Sequence, residues 1–152
     1  MIQRIQTIYL LVAVVLSVVC LCMQIGTFTE GGSALYSEYN LWVTGPTGVR
    51  QFVTWPLFAV LLLSAAIGLY AIFMYANRLL QARFCMFAML LVVGWYILYV
   101  VYGGVLKPGD GSAEFAPTWA GACPLVASVF YFLARRAIMA DERLVRAADR
   151  IR

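Results

Sequence analysis

Four long stretches without a charged residue constrain this chain more than any other feature. The first, Ile5 to Ile25, has 21 residues. At roughly 1.5 Å per residue such a run reaches across a hydrocarbon core of about 30 Å. The second covers 55–76, the third 84–106 and the fourth 117–134. Inside lipid every backbone N–H and C=O has to be satisfied within the protein, so runs of this length predict transmembrane helices. Pro56 and Pro117 fall in the first turns of the second and fourth, where a missing N–H costs nothing. The chain is 64% hydrophobic and 12% charged, against about 45–50% and 25% in soluble domains. The expected fold is therefore an all-α membrane protein, a single four-helix transmembrane domain over 1–152. A small extracytoplasmic β-hairpin loop and a C-terminal amphipathic cytoplasmic helix complete it.

The basic residues sort by side. Arg4, Arg78, Arg83, Arg135, Arg136, Arg143, Arg146, Arg150 and Arg152 share one side of a four-span topology, while only Arg50 and Lys107 fall opposite. With the acids included the two sides carry +6 and −2. Nine basic residues against two place both termini in the cytoplasm by the positive-inside rule. A secretory signal peptide is the competing reading of the first stretch, but its apolar run is long and no small-x-small cleavage site follows it.

The loop over 26–54 holds two β-prone runs around Gly45-Pro46-Thr47-Gly48, which predicts a hairpin. A lone hairpin is marginal in water, so it has to lean on the helix ends, on the loop after the third span or on a partner. The other outer loop, Lys107 to Ala116, reads as a solvated turn. The tail over 135–152 contains neither Gly nor Pro and reads as an arginine-rich amphipathic helix. Such a helix suits anionic headgroups or a cytoplasmic partner.

Three stretches carry a family resemblance. They are Met1-Ile2-Gln3-Arg4-Ile5-Gln6-Thr7-Ile8-Tyr9-Leu10, then Arg78-Leu79-Leu80-Gln81-Ala82-Arg83, and a tail with Arg135-Arg136-Ala137-Ile138, Asp141-Glu142-Arg143-Leu144-Val145-Arg146 and Ala148-Asp149-Arg150-Ile151-Arg152. Over its whole length the chain resembles the domain of unknown function 4293, an uncharacterised family of small four-helix inner-membrane proteins of the Bacteroidota. The resemblance implies a bacterial envelope context and no activity. Because the motif residues share the cytoplasmic side, Gln3, Arg4, Arg78, Gln81, Arg83, Asp141, Glu142, Arg143, Arg146 and Arg150 form the candidate surface for a partner or for lipid headgroups.

Chemistry inside the membrane is harder to find. Ionisable groups at depth mark transport pathways, and none lies within the four stretches. Histidine is absent, which removes His-based metal sites and the commonest general base. No catalytic, cofactor-binding or metal site is expected, and the chain reads as non-enzymatic. Depth permits Cys20 or Cys22 to meet Cys123, but no Cys-x-x-Cys motif is present and buried apolar cysteine is the simpler reading. Trp95, Tyr99 and Tyr102 recur at helical spacing with Tyr96 beside them. That aromatic face is a candidate for an apolar ligand, a lipid or a quinone, or else ordinary helix packing. Ser64-x-x-x-Gly68 permits close helix approach and is compatible with a homo-oligomer. Gly121 with Pro124 is expected to bend the fourth span.

The expected role is an accessory or scaffold subunit of a larger cell-envelope complex in the bacterial inner membrane. Its partners would be membrane lipids and other inner-membrane proteins. Nucleic acid is not among them, because three acids dilute the six arginines of the tail.

Overall fold

The computed structural model describes residues 2–31, 33–105 and 113–149. Four helices carry the chain: α1 (Ile2–Cys22), α2 (Trp55–Phe73), α3 (Arg78–Val105) and α4 (Cys123–Asp149). All four are long and apolar enough to cross a membrane. Each packs on its neighbours in the ring α1-α2-α3-α4. Small residues line the interior of one half of the bundle. Ala13, Ala71, Ala88, Ala127 and Ala134 are buried there around Leu10, Tyr131 and Ile138. The helices approach closely at Gly68 of α2, where an added Cβ would collide with the Tyr131 hydroxyl. Ser64 Oγ donates to the Ala88 carbonyl at 3.0 Å, and the Tyr131 hydroxyl reaches the Ser64 carbonyl at 3.4 Å. The small-residue pair on α2 thus serves packing within the chain.

One end of the bundle is closed by a five-stranded antiparallel sheet in the order β4-β3-β2-β1-β5. Its strands are β1 (Gln24–Glu30), β2 (Ser33–Tyr39), β3 (Val43–Thr44), β4 (Arg50–Gln51) and β5 (Glu114–Pro117). The sheet is larger than the expected hairpin, and the loop after the third span supplies one of its strands, as the need for support requires. The turn at Gly45–Gly48 forms, with Gly48 at φ +75°, but it joins only two residues on each side. The longest pairing is β1 with β2, and β5 comes from the loop read as a solvated turn. Those strands escape a sequence reading because Gly, Ser, Thr and Glu interrupt their apolar residues, and the inward positions are recognisable only once the bundle supplies something to cover.

Helix boundaries shift for the same reason. The first apolar stretch was expected to stay helical to Ile25, yet α1 stops at Cys22 and Ile25 is buried in β1. Alternation of Ile25, Thr27 and Thr29 with Gly26 and Phe28 matches a strand, and the two threonine hydroxyls donate to β5 carbonyls. The second helix ends at Phe73 rather than residue 76, with Met74 as its cap. The third begins at Arg78, six residues before its apolar run, because Arg, Leu and Gln are good helix formers.

The fourth span differs most. Pro117 belongs to β5, a 3₁₀ turn occupies Trp119–Ala122, and α4 starts at Cys123. Pro124 therefore sits in the first turn of α4, where it starts the helix instead of bending it. Among the described residues the tail is not a separate helix, since α4 runs through Ala134 to Asp149 without interruption. With no Gly or Pro after Pro124, nothing breaks it.

Candidate functional site

Two buried polar side chains, Asn40 and Gln81, attend to helix ends. The last four carbonyls of any helix lack an internal partner, and α1 ends at Cys22. Asn40, fully buried, donates from Nδ2 to the Cys20 carbonyl at 2.7 Å, and its Oδ1 accepts from Trp95 Nε1 at 2.9 Å. The backbone carbonyl of Asn40 also accepts from the amide of Phe58, in the first turn of α2. One residue of the connection between β2 and β3 thereby binds α1, α2 and α3 together.

The aromatic face of α3 works in the same way. The Tyr99 hydroxyl donates to the Ile25 carbonyl at 2.7 Å. The Tyr96 hydroxyl donates to the Gly121 carbonyl at 2.7 Å and accepts from the Leu125 amide at 2.9 Å, one of the orphan donors at the start of α4. Trp95 and Tyr99 stack at 4.9 Å between ring centroids, and both are buried. Tyr102 is half-buried beside them. Read from sequence as a face for a lipid or quinone or else as ordinary helix packing, this stripe holds the sheet and the start of α4 onto the bundle. Its rings leave no open apolar face along Trp95 and Tyr99.

Beneath the sheet, Phe115 of β5 fills a slot that only glycines leave open. A Cβ at Gly26 would collide with its ring, and one at Gly103 would come within 2.8 Å. Phe28 packs on the Phe115 ring at 5.1 Å, and Tyr99 packs on that same ring at 5.5 Å. Opposite Gly26 in the register stands Glu38, 1% exposed, whose Oε2 has no hydrogen-bond partner among the described residues. Burial pushes its carboxyl up to about 7. Neither Asn40 nor Glu38 was singled out from the sequence, since a polar residue in a polar loop carries no sign of burial.

The opposite end holds the arginines. Arg78 Nη1 lies 2.9 Å from Asp141 Oδ2, an ion pair without hydrogen-bond alignment that ties α3 to α4. Arg146 pairs with Glu142 at 3.0 Å, four residues apart on α4. Gln81 is buried and donates to the Ala71 carbonyl at 2.9 Å, satisfying the end of α2. Three members of the expected surface, Arg78, Gln81 and Asp141, thus face neighbouring helices. Arg83, Arg143 and Arg146 are exposed. Gln3 and Arg4 lie in α1 with side chains outside the described part, and Arg150 lies outside the described residues. Two further arginines, Arg135 and Arg136, line grooves beside α4. The sequence signals them as an adjacent pair directly after an apolar run.

The cysteines are all free. Cys20, Cys85 and Cys123 are buried and Cys22 is exposed, so no disulfide links Cys20 or Cys22 to Cys123.

A family model described as Domain of unknown function (DUF4293) matches residues 2–151. No protein of curated function matches the chain.

Proposed function

The chain belongs to the family of the domain of unknown function 4293, and from that premise we propose that it is a non-enzymatic integral protein of the bacterial inner membrane, an accessory or scaffold subunit of a larger envelope complex. Both termini face the cytoplasm and the sheet faces outward, in line with nine basic residues on one side against two on the other. The observation that supports docking is the end of α4. From Arg143 to Ala148 every residue is exposed, including Leu144 at 61% and Val145 at 42%. Apolar side chains held in water on a rigid helix gain free energy when a partner covers them.

Orientation is tested in a Cys22→Ser background, which removes the exposed native thiol. Thr47→Cys, in the exposed turn between β3 and β4, should react with a membrane-impermeant maleimide on intact cells. Asn77→Cys, in the turn between α2 and α3, should react only after the membrane is opened. The reverse pattern would overturn the orientation.

Docking is tested by mild-detergent purification at native expression level. A stoichiometric protein should accompany the parent and be lost from a Leu144→Glu, Arg146→Glu variant of unchanged helix content. If that variant keeps every companion of the parent, the exposed end of α4 is not the docking element.

A further inference from the structure

At the arginine end, two hollows meet along α4. Arg83 and Met86 of α3 face Arg135 and Met139 of α4 across one of them, with a volume of about 230 Å³. The second, about 470 Å³, is bounded by Phe132, Arg136 and Arg143, with Arg135 and Met139 forming the wall common to both. The larger lies within the ~300–1,000 Å³ range of small-ligand sites.

No acidic side chain lines either hollow. The two acids of this part of α4 are engaged elsewhere, Asp141 by Arg78 and Glu142 by Arg146. Four arginines therefore line the two adjoining hollows with no carboxylate in either wall. Guanidinium binds phosphate oxygens through paired N–H donors, which makes phosphate the anion that fits.

The level of the groove selects the source of that phosphate. Arg83 stands directly before the apolar run of α3, and Arg135 directly after that of α4. On the apolar side of the arginines lie Met86 and Phe132, both exposed to the surroundings of the bundle. A free anion would meet the charges and leave that wall uncovered. A lipid meets both, its phosphate on the arginines and its acyl chains along Met86 and Phe132. We propose that the α3–α4 groove is a binding site for an anionic phospholipid, with Arg135 as the central phosphate contact and Arg83 and Arg143 on either side.

Phosphatidylglycerol is the probe, with phosphatidylcholine as the neutral comparison. Each is titrated into the detergent-purified full-length protein, and bound lipid is read by native mass spectrometry. At about fivefold in affinity per arginine, the Arg83→Gln, Arg135→Gln variant should bind phosphatidylglycerol about 30-fold more weakly. Arg50→Gln, Arg146→Gln removes the same charge elsewhere and should stay within about twofold of the parent. Arg83→Gln alone alters only an exposed side chain and should cost about fivefold, which keeps the test informative if the double variant fails to fold. Equal binding of the two lipids would overturn the proposal, as would equal weakening by the two double variants. Displacement of the lipid by millimolar inorganic phosphate would identify a free-anion site and overturn it as well.

Discussion

Replacing Asn40 with alanine should lower the unfolding free energy of the protein by about 3 kcal/mol. Two buried groups lose their partners at once, the Cys20 carbonyl at the end of α1 and the Trp95 indole N–H. Each orphaned buried group costs about 1–3 kcal/mol. Hydrogen bonds between membrane helices measure less, about 0.6 kcal/mol on average, because the unfolded chain in lipid finds substitutes. Asn40 is not in a helix but in the connection after β2, and its side-chain hydrogen bonds reach residues far away in the chain. The Asn40→Ala, Trp95→Phe double-mutant cycle isolates the shared bond. The two single effects should exceed the double effect by about 1 kcal/mol or more in denaturant titrations of detergent-solubilised protein. Strict additivity would show that the bond contributes nothing.

Glu38 should give the protein a stability that declines as pH rises. Its carboxyl titrates near 4.5 in an unfolded chain and at about 7 in the fold, because burial beneath the sheet disfavours the charged form. Between those values the folded protein holds a proton that the unfolded chain has released. Folding is therefore fully supported below about 4.5, weakens as pH climbs toward 7, and levels off above it. The difference across that window is on the order of 3 kcal/mol. Glu38→Gln stays neutral throughout, so its stability should be flat over the same range and higher than that of the parent at pH 8. Unfolding titrations at several pH values from 4.5 to 8 check this. An identical slope in parent and variant would remove Glu38 as the cause.

The two effects share an origin in the sheet that covers the bundle. Asn40 and Glu38 lie two residues apart, Glu38 in β2 and Asn40 directly after it. Both become buried only because that strand is laid across the helix ends. The sequence pattern marked Gly45–Gly48 as a turn, since Gly and Pro announce turns locally. It did not mark β1 or β5. Pairing Thr27 with Ala116 joins positions 89 residues apart, and no local signal specifies such a partner.

The same limit applies to the candidate sites. Arg78, Gln81 and Asp141 read as a polar surface because three polar residues near a membrane boundary normally meet water. In the fold Gln81 satisfies a carbonyl at the end of α2, and the ion pair holds α3 to α4. The aromatic face of α3 was legible as a stripe at helical spacing. Its use was not, because the carbonyls of Ile25 and Gly121 come to it from distant parts of the chain.

By itself the sequence determined the four long apolar helices, the gathering of arginine toward one end and the family. These follow from residue type within a short stretch: a helix satisfies its own backbone, so its apolar run is sufficient to specify it, and short motifs identify relatives without reference to shape. Only the tertiary structure decided where each helix stops, which strands pair and which polar side chains lie inside. Those outcomes depend on unsatisfied groups at helix ends finding donors and acceptors far away in the chain, a condition that exists only once the bundle has assembled.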